Sequence, residues 1–183
     1  LVSKVGRFVG NEMMRNIMGQ QKSGFDFRDI MDNQKILLVN LAKGKTGEVN
    51  SKLLGLIVVA KLQMAAMGRA DMKEEDRKDF YLYIDEFQNF ITDSISTILS
   101  EARKYKLNLI VAHQYMGQLV DEKGKADVRD AILGNVGTML SGRIGPDDSE
   151  VLAKEFAPIF GSYDLLNAPQ YSFYSKILIK NQA

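Results

Sequence analysis

The chain has 183 residues, 45% of them apolar, enough for one compact domain that buries about two thirds of the surface its unfolded form exposes. Its 24 Lys and Arg nearly cancel its 23 Asp and Glu, which excludes a global field that recruits nucleic acid or an anionic membrane and leaves such contacts to local patches or neighbouring subunits. The absence of cysteine excludes disulfides and thiol catalysis, and a single histidine, His113, argues against a zinc site.

Apolar residues at Val2, Val5, Phe8 and Val9, then at Met13, Met14 and Ile17, recur at helical spacing, and Gly10 and Gly19 follow each group as stop signals. Two short helices are expected there. The run Lys35-Ile36-Leu37-Leu38-Val39-Asn40-Leu41 predicts a buried parallel strand, and Leu53, Leu54, Ile57, Val58, Leu62, Ala65 and Ala66 predict a long helix from about Glu48 to Arg69. The longest strongly apolar stretch, Leu53 to Ala60, is short of the roughly 20 residues a membrane span needs, so no spanning segment is expected. Arg69 to Asp79 reads as a charged surface connection.

Phe80-Tyr81-Leu82-Tyr83-Ile84 predicts a second strand, stopped by Asp85-Glu86, and Ile95, Ile98, Leu99 and Ala102 mark the helix after it. A third strand is expected over Leu107 to Ala112, a helix around Val128, Ile132 and Val136, and a fourth strand from Thr138 through Ser141 that reaches Arg143. Pro146-Asp147-Asp148 opens a further helix, since proline suits the first helical position and carboxylates suit the positive end of the helix dipole. The tail from Tyr171 to Ile179 reads as a last strand. Strands alternating with helices predict an α/β fold with a mainly parallel sheet, in which ligands bind at the carboxyl ends of strands.

Two adjacent carboxylates, Asp85 and Glu86, therefore stand where a ligand is expected. The pattern is that of a Walker B strand, in which an aspartate holds Mg²⁺ on ATP phosphates and a second carboxylate orients water. Strand-end carboxylates that only cap the following helix have the same appearance. Gly44-Lys45-Thr46 imitates the end of a phosphate-binding loop, G-x-x-x-x-G-K-[ST], but the first glycine would fall at position 39, where Val39 stands. Gly124-Lys125-Ala126 lacks the hydroxyl. The loop is expected upstream of Leu1, and a chain that opens Leu1-Val2-Ser3 directly into patterned sequence reads as a piece of something longer.

The segments Phe80 to Phe90, Leu99 to Tyr105, Leu109 to Tyr115, Arg15 to Gln20, Gly134 to Gly137 and Arg143 to Asp148 resemble the type IV secretion and conjugation coupling proteins, the TraG/TraD-like ATPases related to the FtsK and HerA DNA translocases. The resemblance implies the carboxyl-terminal part of a RecA-like P-loop ATPase domain, working as a ring that uses ATP and Mg²⁺ to pump DNA or a relaxase–DNA complex beside other secretion-machine components. It places that ring in the cytoplasm, at the inner face of the membrane if upstream sequence anchors it. It makes Asp85 the magnesium residue, Glu86 the catalytic base, Gln114 a sensor of the γ-phosphate, and Arg143 a finger toward a neighbour's nucleotide. Arg143 also suits a surface ion pair with Asp147, Asp148 or Glu150. His113 stands where the resembling proteins often have a small hydroxyl residue, and a packing or hydrogen-bonding role is expected for it. Arg103, Lys104 and Lys106 form a basic group that reads either as a solvated face or as a nucleic-acid contact. Two other classes fit the same sequence: a module without a phosphate-binding loop that serves a secretion machine structurally or by binding substrate, and an FtsK/HerA-like motor of DNA recombination or packaging.

Overall fold

A computed structural model describes residues 6, 10–92, 95–120 and 124–179. These fall into two compact units. One is built from the described residues up to Tyr83 together with Glu101–Ile110, the other from those of Ile84–Ser100 and from Val111 onward.

In the first unit, α1 (Glu12–Met18) begins where the Asn11 side chain accepts the Met14 N–H at 3.0 Å, and stops at Gly19 as expected. Helix α2 (Phe27–Asp32) is capped by the Asp26 carboxylate, which accepts the N–H groups of Arg28 and Asp29. The helix expected around Val2 to Val9 lies largely outside the described residues. A single turn, α3 (Lys43–Thr46), leads into the 21-residue α4 (Glu48–Gly68). Helix α4 packs against α2, burying Leu62 and Ala66, and Met14, Ile30, Met31, Ala102 and Leu107 are the other apolar residues buried in this unit.

One expectation is corrected here. The run from Lys35 to Leu41 is not a strand: it has no ladder partner, and Ile36 and Leu38 are 88% and 89% exposed. An apolar run becomes a strand only when another strand takes its N–H and C=O groups, and none among the described residues does so. Helix α4 runs over the range expected for it. With the residues up to Asp71 it is long and apolar enough to cross a membrane, by length and composition alone.

The strands are β1 (Phe80–Ile84), β2 (Leu107–Val111), β3 (Thr138–Ser141) and β4 (Tyr174–Ile177). They form two separate pairs instead of one mainly parallel sheet. Strands β1 and β2 are parallel, with Phe80 N–H on Lys106 C=O at 2.8 Å and Ala112 N–H on Ile84 C=O at 3.0 Å. Strands β3 and β4 are antiparallel, with Thr138 opposite Ile177 and Ser141 opposite Tyr174. The pairing continues one residue before β3, with Leu178 N–H on Gly137 C=O at 3.1 Å, and a Cβ at Gly137 would touch the flexible tip of the Leu178 side chain at 2.9 Å. The fold is thus mixed helix and sheet with a small parallel pair.

In the second unit, α5 (Ile95–Glu101) follows β1, α6 (Asp127–Asn135) precedes β3, and α7 (Pro146–Phe156) opens at the expected proline and aspartates. The last helix, α8 (Ser162–Leu166), packs on α7, and the buried Ser149 hydroxyl bonds Ser162 Oγ at 2.6 Å. Ile84, Phe87, Ile95, Ile98, Met116, Leu119, Ile132, Leu152, Phe156 and Leu165 are buried in this unit.

Candidate active site

The chain leaves β1 at Ile84 and turns within two residues. Phe87 is fully buried, and its N–H bonds Ala112 C=O at 2.9 Å, which ties the turn to the end of β2. To bury Phe87 that soon, Glu86 takes a left-handed backbone at φ 49°, a region that L-residues other than Gly, Asn and Asp seldom adopt. The Glu86 carbonyl accepts both the backbone and the side-chain N–H of Asn89 at 3.0 Å. The Asp85 carboxylate is exposed and accepts the Glu86 N–H at 2.9 Å through Oδ1.

Two amides hold the Glu86 carboxylate. Gln88 Nε2 donates to Oε2 at 2.5 Å, and Gln114 Nε2 donates to Oε1 at 2.8 Å. Gln114 stands just after β2, its own N–H held by Gln118 Oε1 at 3.0 Å. The expected neighbours Asp85, Glu86 and Gln114 are therefore brought together at the carboxyl ends of the parallel pair. Sequence reasoning gave no role to Gln88, although it stands two residues after Glu86. His113 is half-buried, and its Nδ1 has no hydrogen-bond partner among the described residues, as is also true of the buried Gln88 Oε1.

Arg143 follows β3, exposed, and forms no ion pair with Asp147, Asp148 or Glu150. Asp148 instead accepts the Met116 N–H at 3.1 Å. Among the described residues no group of three His, Asp or Glu stands ready for a metal.

The imitation of a phosphate-binding loop is also resolved in physical terms. Such a loop points its N–H groups at phosphate, whereas those of Lys45 and Thr46 bond Ala42 C=O and that of Gly47 bonds Lys43 C=O. The Thr46 hydroxyl bonds Ser51 Oγ and Ala42 C=O. The backbone groups that would cradle phosphate are occupied within the turn.

The connection from Arg69 to Asp79 is largely exposed as expected, but its first residue anchors a second polar cluster. Arg69 is completely buried. Its Nε donates to Asp32 Oδ1 at 2.8 Å, and its Nη1 to the carbonyls of Lys78 at 2.8 Å and Tyr105 at 2.9 Å, the residues leading into β1 and β2. Arg77 donates to the carbonyls of Arg69, Met72 and Lys104 and lies 5.3 Å above the Tyr105 ring. On the exposed side Arg28 bonds both Asp32 and Asp71. Asp71 hydrogen-bonded to Arg28 titrates below the usual carboxylate range, and Arg28 is raised by the same contacts.

No curated protein and no solved structure matches the chain. The family model described as the TraM recognition site of TraD and TraG matches residues 79–178, more than half of the chain and all four strands. On that match the chain belongs to the TraG/TraD-like coupling proteins of conjugation, through their carboxyl-terminal region.

Proposed function

We propose that the chain carries the Walker B side of an ATP-driven motor that moves DNA, or a relaxase–DNA complex, in conjugation. The observation that supports this reading best is the 2.8 Å bond between Gln114 and Glu86, which joins the ends of two adjacent parallel strands. In this reading the Glu86 carboxylate orients the attacking water and takes its proton. The Gln114 amide suits a sensor, because one end donates to a phosphate oxygen while the other accepts from water. Arg143, exposed and without an ion pair among the described residues, suits a reach to the nucleotide of the next subunit in a ring, where an arginine finger contributes about 10³ to 10⁵ in rate.

The donor set fits a magnesium ion held mainly by nucleotide and water. Mg²⁺ in such sites takes one or two carboxylates and no dedicated protein cage, and Asp85 offers a single exposed carboxylate. Asp85 is the residue that would hold it. Bound there with ATP, such an ion would supply neutralisation of phosphate charge. The phosphate-binding loop is supplied from outside these 183 residues.

The test is Glu86→Gln in the ATPase completed with that loop. The variant should keep ATP binding and lose turnover, and the unaltered 183-residue chain by itself should show no ATPase above background. Undiminished turnover in Glu86→Gln, or magnesium-dependent turnover by the chain alone, overturns the assignment.

A docking role is favoured by a separate observation. The matched family model is described by recognition of TraM, and we infer that this chain binds a TraM-like partner. One face of the β3–β4 pair carries Leu140, Phe173 and Ile177, all more than half exposed, and apolar anchors of this kind suit an interface. Leu140→Asp and Ile177→Asp should weaken binding of TraM to the chain in calorimetry. Equal affinity in both variants places the contact elsewhere, and no binding by the unaltered chain discards the role.

A further inference from the structure

Gln88 is the least explained side chain at the candidate site. It lies in the same short turn as Glu86, two residues on, and is half-buried. Only its NH₂ end can face a carboxylate, so the bond to Glu86 Oε2 fixes the amide orientation and turns Oε1 inward, where it is buried with no hydrogen-bond partner among the described residues. Leaving a buried carbonyl unpaired is unfavourable, and the arrangement is held by the donation to Glu86 at the other end. Gln114 contrasts with it. It is exposed, comes from the end of the other strand, and reaches Glu86 across the pair.

The two amides therefore differ in permanence. Gln88 moves with the turn that carries Glu86, a turn fixed by buried Phe87, by the Phe87 N–H on Ala112 C=O, and by the two Asn89 bonds to the Glu86 carbonyl. Gln114 is able to swing away without disturbing that turn.

We propose that Gln88 is a positioning residue: it holds one carboxylate oxygen of Glu86 at all times, so that the other is presented in a fixed direction when Gln114 leaves to engage substrate. The inference rests on the reading of Glu86 as the water-activating group, and it adds a division of labour between the two glutamines. Gln88 does not touch substrate. It sets the direction in which Glu86 meets water.

Two measurements test it. In the 183-residue chain, the side-chain amide signals of Gln88 in a proton–nitrogen NMR spectrum should be displaced from free-amide positions, should return toward them in Glu86→Ala, and should stay displaced in Gln114→Leu. Gln88 signals at free-amide positions that ignore Glu86→Ala overturn the proposal whether or not ATP is hydrolysed. In the ATPase completed with its phosphate-binding loop, Gln88→Met, close in shape but without the amide, should lower kcat by about 10- to 100-fold, the scale of a misplaced catalytic group, with KM for ATP unchanged. Gln88→Glu, which keeps the length and sets a carboxylate against Glu86, should lower it at least as far. Loss of turnover in Glu86→Gln with full kcat in both Gln88 variants refutes the positioning role and leaves the function intact. Full turnover in Glu86→Gln removes the function itself. A Gln88 variant that raises KM and leaves kcat alone also refutes the positioning role.

Discussion

Two polar clusters, one before the parallel strands and one after them, are built on opposite principles. Arg69 is wholly buried, and its bonds go to a carboxylate and two backbone carbonyls that cannot move without dismantling the entries to β1 and β2. Glu86 is half-exposed on a left-handed backbone, and one of its two amide partners is an exposed side chain from the other strand. The first arrangement gives up side-chain freedom to fix a scaffold. The second accepts backbone strain to hold a carboxylate in a place that a partner can vacate, which is the expected character of a working site. Stability should therefore depend on the first cluster far more than on the second, and activity on the second alone.

The largest expected effect breaks the first cluster. Arg69→Met leaves Asp32 without its buried partner and the Lys78 and Tyr105 carbonyls without donors. Asp32 is 27% exposed and keeps Arg28, so the cost falls mainly on the two carbonyls, at about 1 to 3 kcal/mol for each donor lost, still a large part of a typical domain's stability of about 5 to 15. Urea unfolding of the chain should show that loss. Arg69→Lys should recover part of it, because an ammonium replaces the charge but not the planar fork that serves three acceptors. A midpoint for Arg69→Met equal to that of the unaltered chain would show the cluster to be ornamental.

A smaller effect is expected at the second cluster. Glu86→Gly removes a left-handed cost of about 1 to 2 kcal/mol, which offsets the Gln88 and Gln114 bonds of about 1 kcal/mol each, so the loss of stability should be small beside that of Arg69→Met. ATP turnover in the completed motor should be abolished all the same. A destabilisation as large as that of Arg69→Met would mean that Glu86 is part of the scaffold, and the comparison would fail.

The contrast also explains what could be read in the sequence. Strands β1, β2 and β3 were legible almost to the residue because each is an apolar run with a polar stop, and the meeting of Glu86 with Gln114 followed from two such stops on neighbouring strands. The segment Lys35 to Leu41 has the same signature and failed, since a strand also needs a partner and no local pattern encodes one. Arg69 was missed because its acceptors at positions 32, 78 and 105 are far apart in sequence, and a charged stretch without periodicity looks like surface. Gln88 was in plain view beside Glu86. Its role depends on the turn geometry that Phe87 imposes, and a left-handed glutamate has no sequence signal of its own.

The smallest expected effect lies at the exposed margin of the first cluster. Asp71 titrates below its ordinary value of 3.8, chiefly because Arg28 donates a hydrogen bond to it, and Asp29 is lowered chiefly by Lys35 and then by Asn33. A carboxylate whose folded value is depressed adds stability above its unfolded value and loses that contribution as pH falls through the folded one. Both contributions should therefore be complete at neutral pH and fade only below about 3.8. Both carboxylates are fully exposed, so water and salt screen the pairs, and the change should be slight beside that of Arg69→Met. Urea midpoints followed from neutral pH downward should fall less steeply below 3.8 in the double variant Asp29→Asn, Asp71→Asn than in the unaltered chain, and added salt should narrow the difference. Identical acid slopes in the two proteins would show that the Arg28–Asp71 and Lys35–Asp29 contacts contribute nothing to stability.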